Sequence, residues 1–140
     1  MEFTTHSAEE TTALGRTLAE HMKPPKMTLL RGDLGAGKTT LIKGIVEGFK
    51  AAEQEDVTSP TFTLIREYRG PGVTVYHIDL YRVDTQHELE TLGIDDLFAD
   101  DAVLLIEWGD KFERFRRECD VEIAIERTGD NSRRITLTPR

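Results

Sequence analysis

The run Gly32-Asp33-Leu34-Gly35-Ala36-Gly37-Lys38-Thr39 places two glycines, a lysine and a hydroxyl at the Gly-x₄-Gly-Lys-Thr spacing suited to polyphosphate. Each residue type follows from that task. Glycines let the backbone fold tightly round phosphates, so that several N–H groups aim at one anion. A helix starting at the loop adds the positive end of its dipole. Lys38 is placed to neutralise the β- and γ-phosphates of ATP, and the Thr39 hydroxyl to ligate Mg²⁺. Thr40 is placed toward the α-phosphate. Ordinary residue frequencies produce the four fixed positions by chance in about one such chain in two hundred. The strand before and amphipathic helix after lower that further.

Mg²⁺ bound beside phosphates also calls for a carboxylate at the end of a neighbouring strand. Glu107 ends the most continuous apolar run, Ala102 to Ile106, and is the better metal ligand. Asp79 ends the run Val73 to Ile78 and suits the γ-phosphate, the attacking water or the Mg²⁺ shell. Either could be the general base; the sequence does not separate those roles. Ser59-Pro60-Thr61-Phe62 occupies the place of a switch segment, where Thr61 could sense the γ-phosphate. On spacing alone it is equally an ordinary turn and strand start. His77, alone in its strand, reads as a core or hydrogen-bonding residue.

These residues need elements to hold them. Ser7-Ala8-Glu9-Glu10 fits a capping box, with a helix running to about His21 and stopped by Pro24-Pro25. Met27 to Leu30 is a short buried strand. Leu41, Ile42, Ile45, Val46 and Phe49 repeat at helical spacing from Lys38 onward. Phe62 to Tyr68 and Val73 to Asp79 form a hairpin about Gly70-Pro71-Gly72. Thr85 to Glu88 opens a short helix that Gly93 closes, and Lys111 to Arg117 reads as helix. Val121 to Ile125 and Ile135 to Leu137 alternate about Gly129-Asp130-Asn131 as a C-terminal hairpin. The expected fold is an α/β, P-loop NTPase-like sandwich: a mixed sheet with helices on both faces and a C-terminal β-hairpin, in one domain spanning 1–140.

Composition excludes more than it selects. A chain of 140 residues with 38% hydrophobic and 31% charged content is an ordinary globular protein. Its net charge of −8 disfavours unaided binding to nucleic acid. The single cysteine, Cys119, cannot form an internal disulfide. No apolar run reaches membrane-span length and no leader-like N-terminus is present, so the expectation is a cytoplasmic protein with no membrane partner. A GTPase would need an Asn-Lys-x-Asp segment and an ABC ATPase a Leu-Ser-Gly-Gly-Gln signature; neither occurs. A small kinase and a nucleotide-gated binding module remain as alternatives to an ATPase that acts on a partner.

Gly32 to Thr40, Ser59-Pro60-Thr61-Phe62, His77-Ile78-Asp79-Leu80-Tyr81-Arg82 and Glu107-Trp108 together resemble, in order and spacing, the TsaE (YjeE) family. Gly93-Ile94 and its acidic turn match as well, so the resemblance covers nearly the whole chain. It implies the bacterial ATPase of tRNA N6-threonylcarbamoyladenosine biosynthesis. In that system a TsaB–TsaD complex is the partner, and TsaD transfers the threonylcarbamoyl group to adenosine 37 of tRNA. The ATPase touches tRNA only through its partners and is thought to reset them by hydrolysis, with weak activity alone. The resemblance makes Lys38 and Thr39 holders of phosphate and Mg²⁺, Glu107 a metal ligand and Asp79 part of the nucleotide site. It makes Thr61 the switch threonine and puts Trp108 beside the site. It also brings Ser7 to Thr11, and Arg133 or Arg134, to the border of the nucleotide.

Overall fold

The structure is a computed structural model, and residues 1–33, 35–53 and 65–140 are described. Strand β1 (Glu2–Thr5) leads into helix α1 (Ala8–Ala19). Ser7 is extended at φ −160°, and its Oγ accepts from the Glu10 N–H at 3.0 Å, which fixes the helix start. The Glu10 carboxylate accepts from the His6 N–H rather than from that of Ser7, so the capping box is shifted by one residue. The α-helical pattern ends two residues before His21. The last turns tighten, with His21 N–H donating to Leu18 O and Met22 N–H to Ala19 O.

Strand β2 (Lys26–Arg31) and helix α2 (Lys38–Gly48) flank the glycine-rich loop. Then follow β3 (Ala52–Glu53), β4 (Ile65–Gly70), β5 (Val73–Asp79), the short helices α3 (Gln86–Thr91) and α4 (Ile94–Leu97), and β6 (Ala102–Glu107). The segment read as one helix from Lys111 is divided: a 3₁₀ turn covers Gly109–Lys111 and α5 covers Glu113–Glu118. Phe112 breaks it by adopting an extended backbone, which lets its ring turn inward edge-on to Phe115. The chain ends in β7 (Val121–Arg127) and β8 (Arg133–Pro139).

All eight strands join one sheet in the order β1-β8-β7-β2-β6-β5-β4-β3. The centre, β7-β2-β6-β5, is parallel, and each flank is antiparallel. Every residue of β6 is buried, as a strand covered on both faces requires. Side-chain alternation divides the core. Val103 and Leu105 face α1 and α2 with Leu18, Ile45 and Val75, whereas Leu104 and Ile106 face Leu29, Ile78, Leu89 and Phe115. The expected mixed sheet, helices on both faces and C-terminal hairpin are all present.

Helices α1 and α2 approach so closely that their contact has no room for side chains. A Cβ on Gly15 would lie 2.5 Å from the Leu41 carbonyl oxygen, and one on Gly44 would lie 2.1 Å from that of Thr12. This contact anchors α2, and α2 in turn sets where the glycine-rich loop points.

Candidate functional site

The loop after β2 bends through two left-handed residues, Gly35 at φ +80° and Gly37 at φ +105°. A side chain is strained there, which is the physical reason for glycine at both positions. Gly37 caps α2, so the unpaired N–H groups of the first helical turn open beside Lys38, Thr39 and Thr40. The Lys38 side chain is only 6% exposed. Its Nζ donates to the Gly32 carbonyl at 2.6 Å and lies 3.7 Å from Glu107 Oε1. It also sits 4.2 Å from the centre of the Trp108 ring. A buried ammonium needs such partners, and here a carbonyl, a carboxylate and an aromatic face supply them.

The parallel pairing of β5 with β6 sets Asp79 beside Glu107. Both lie at the carboxyl ends of their strands and share parity with Val75 and Leu105, so they emerge on the α1–α2 face, where α2 begins. Ligand sites in open α/β sheets occupy that edge. His77, two residues before Asp79, shares its face and meets Glu107 Oε2 through Nε2 at 2.5 Å. Burial pushes the Glu107 carboxyl up, but the His77 hydrogen bond, the His77 charge and Lys38 together hold it below the usual glutamate range. An ionised carboxylate only accepts, so His77 Nε2–H is the donor. Asp79 Oδ1 accepts the backbone N–H of Tyr81 at 3.0 Å.

Gly35, Gly37, Lys38, Thr39, Thr40, Asp79, Glu107 and Trp108 thus border a single cleft of about 540 Å³. Gly32, Asp33 and Ala36 line a hollow of about 460 Å³ on the other side of the loop, against Ile125 to Arg127. Leu34, and Ser59 to Phe62 with the switch candidate Thr61, lie outside the described residues. His77, Tyr81 and Arg66 also line the cleft, which their residue types alone did not mark. The period-two spacing of His77 and Asp79 was the available signal for the first. Tyr81 packs its ring 5.1 Å from that of Trp108, which itself holds a left-handed φ of +62°.

The two arginines left open by the sequence separate here. Arg133 Nε donates to the Ala36 carbonyl at 2.7 Å, placing its guanidinium against the loop. Arg134 instead pairs with Glu2 and Glu126 on neighbouring strands. Ser7, Thr11, Thr40 and Arg133 also enclose a smaller hollow of about 90 Å³.

No group of three or more His, Cys, Asp or Glu side chains among the described residues could hold a metal ion by itself. What the cleft offers is hard oxygen donors, the Thr39 hydroxyl with the Asp79 and Glu107 carboxylates, beside a helix N-terminus. That donor set fits Mg²⁺ completed by phosphate oxygens and water, since Mg²⁺ is seldom caged by protein alone.

Fold and cleft together define an α/β protein of P-loop NTPase-like architecture. Comparison with known proteins narrows the class. The family model for threonylcarbamoyl adenosine biosynthesis protein TsaE matches residues 5–135. The chain is 41% identical to the tRNA threonylcarbamoyladenosine biosynthesis protein TsaE of Bacillus subtilis, covering 99% of this chain and 85% of the relative. It is 44% identical to the protein of the same description from Haemophilus influenzae, covering 84% of this chain and 72% of the relative. Among solved structures, the crystal structure of Bacillus subtilis YdiB matches with a TM-score of 0.75 and 36% identity, over 99% of this chain and 84% of that one. This chain belongs to the TsaE family, whose members take part in tRNA threonylcarbamoyladenosine biosynthesis.

Proposed function

We propose that the chain binds Mg²⁺-ATP in the cleft and hydrolyses it, as the ATPase subunit that resets a TsaB–TsaD complex between rounds of tRNA adenosine 37 modification. The convergence of Lys38, Glu107 and Asp79 on the mouth of the glycine-rich loop carries this reading.

The roles follow from the surroundings. Lys38 has to leave the Gly32 carbonyl to meet the β- and γ-phosphates, a short swing about its own stem. The N–H groups from Gly35 to Thr40 receive the remaining phosphate oxygens. Thr39 and Glu107 would hold Mg²⁺, which supplies charge neutralisation as the γ-phosphoryl group departs. A carboxylate held ionised by His77 and Lys38 is a good ligand and a weak base. With Glu107 engaged by His77 and Lys38, Asp79 at the cleft edge is the carboxylate placed to accept the proton of the water that attacks the γ-phosphorus, leaving ADP and phosphate. The shallow hollow between Ser7, Thr11 and Arg133, too small to enclose a nucleoside, would border its outer edge. With a net charge of −8, the chain reaches tRNA only through its partners.

The test is steady-state ATPase activity of the purified chain, alone and with TsaB–TsaD, beside a Lys38→Ala control. Weak activity that the pair stimulates, and that the control loses, is the expected result. Activity indifferent to the pair, with faster transfer to an added acceptor than to water, would make the chain a small kinase. ATP binding with no turnover under any condition would make it a nucleotide-gated binding module.

A further inference from the structure

We propose that His77 is a positioning residue: it occupies one oxygen of Glu107 and thereby turns the other toward the phosphate and metal side of the cleft. The proposal rests on the reading of Glu107 as a metal ligand given above.

Three observations carry it. The two oxygens of Glu107 have different partners, with Oε2 bound to His77 Nε2 at 2.5 Å and Oε1 facing Lys38 Nζ at 3.7 Å. The Oε1 contact is long for a charged hydrogen bond, so that oxygen is oriented but not consumed. Both side chains are largely buried, at 14% and 8% exposure, where a carboxylate without such a donor would be costly and free to rotate. Finally, the register pairs His77 with Leu105 and Asp79 with Glu107. His77 therefore reaches Glu107 diagonally across the β5–β6 ladder, from a position one pleat behind the cleft edge. A strand residue in that place can orient the carboxylate without occupying the space that nucleotide and metal would take.

A residue that only supported the fold would, when lost, weaken every property of the site. A positioning residue changes the metal requirement selectively. The experiment is a titration of ATP affinity against Mg²⁺ by calorimetry on the full chain, with a matched series in EDTA. The variants are His77→Leu, which cannot donate, His77→Gln, whose amide nitrogen reaches about as far as Nε2, and Glu107→Gln as the benchmark. His77→Leu should raise the Mg²⁺ midpoint about tenfold, leave metal-free ATP affinity within about twofold, and be rescued by His77→Gln to within about threefold. If His77→Leu does not fold, His77→Asn, polar but one methylene too short, carries the same expectation. A wild-type midpoint in the non-donating variant, alongside a shifted midpoint in Glu107→Gln, overturns the role of His77. An unshifted midpoint in Glu107→Gln removes Glu107 as a metal ligand, and the role assigned to His77 falls with it.

Discussion

Adding one methyl group at Gly44 tests whether the contact between α1 and α2 is as tight as the structure describes. The new Cβ would stand 2.1 Å from the Thr12 carbonyl oxygen, 2.9 Å from its carbon and 3.0 Å from its Cα. All three are backbone atoms, so no rotamer change relieves the clash. Reaching even 3.0 Å from the oxygen requires the helices to part by about 0.9 Å, and inserting a methyl into such packing costs roughly 1–3 kcal/mol. A gap of that size also forfeits a quarter to a half of the dispersion well for flanking pairs such as Leu18 and Ile45, which puts the cost near about 3 kcal/mol. Alanine returns about 1 kcal/mol through its better helix propensity. The net loss is about 2 kcal/mol, or roughly 7 °C in melting temperature for a chain of this size. Thermal unfolding followed by circular dichroism, with urea midpoints at constant slope, measures it. Gly129→Ala is the control, because its Cβ would come no nearer than 3.5 Å to any atom and should change stability by under about 0.5 kcal/mol. A Gly44→Ala protein that melts at or above the wild-type temperature would refute the packing argument outright.

Further perturbations bear on the cleft. Lys38→Ala removes charge-assisted hydrogen bonds worth about 3 kcal/mol and should weaken ATP binding about a hundredfold; calorimetry showing less than a tenfold loss contradicts its role. Trp108 is the single tryptophan, and Lys38 lies against its ring, so ATP that draws the lysine away should change the emission saturably. Unchanged emission while calorimetry records binding would count against that movement. The folded Glu107 carboxyl titrates below its unfolded value, so its contribution to stability is present above the ordinary glutamate range and is lost as pH falls through the folded value. The stability advantage of wild type over Glu107→Gln should accordingly shrink between about pH 5 and pH 3 in urea titrations. An advantage that grew with acidity would reverse the assigned sign.

What the sequence displays depends on how local the physics is. The loop from Gly32 to Thr39 is legible because left-handed backbone demands glycine at Gly35 and Gly37 whatever lies around it. Strand β6 is legible because burial on both faces leaves an uninterrupted apolar run. The bond from His77 to Glu107 is not, since it exists only once β5 and β6 pair in one particular register. Strand β1 alternates, with Phe3 and Thr5 inward and Glu2 and Thr4 outward, but four residues holding one large apolar side chain are too few to stand out. Gly15 and Gly44 look like poor helix formers until α1 and α2 are laid against each other. Arg133 and Arg134, adjacent in a strand, are told apart only by which face of the sheet holds the glycine-rich loop.

The pairing of β1 with β8 has a consequence for synthesis on the ribosome. Glu2 to Thr5 are made more than a hundred residues before their partners, Arg133 to Thr136. Until then β1 has no ladder, and the cleft lacks the arginine that clasps the Ala36 carbonyl. Nascent chains can organise the parallel centre of the sheet before β8 is made, but the cleft is completed only once β8 has emerged. Pulse-labelled hydrogen exchange on stalled chains would reveal the order, and β1 amides protected before Arg133 emerges would contradict it. A cleft walled by both an early and a late segment of the chain takes its shape only when Arg133 has been made.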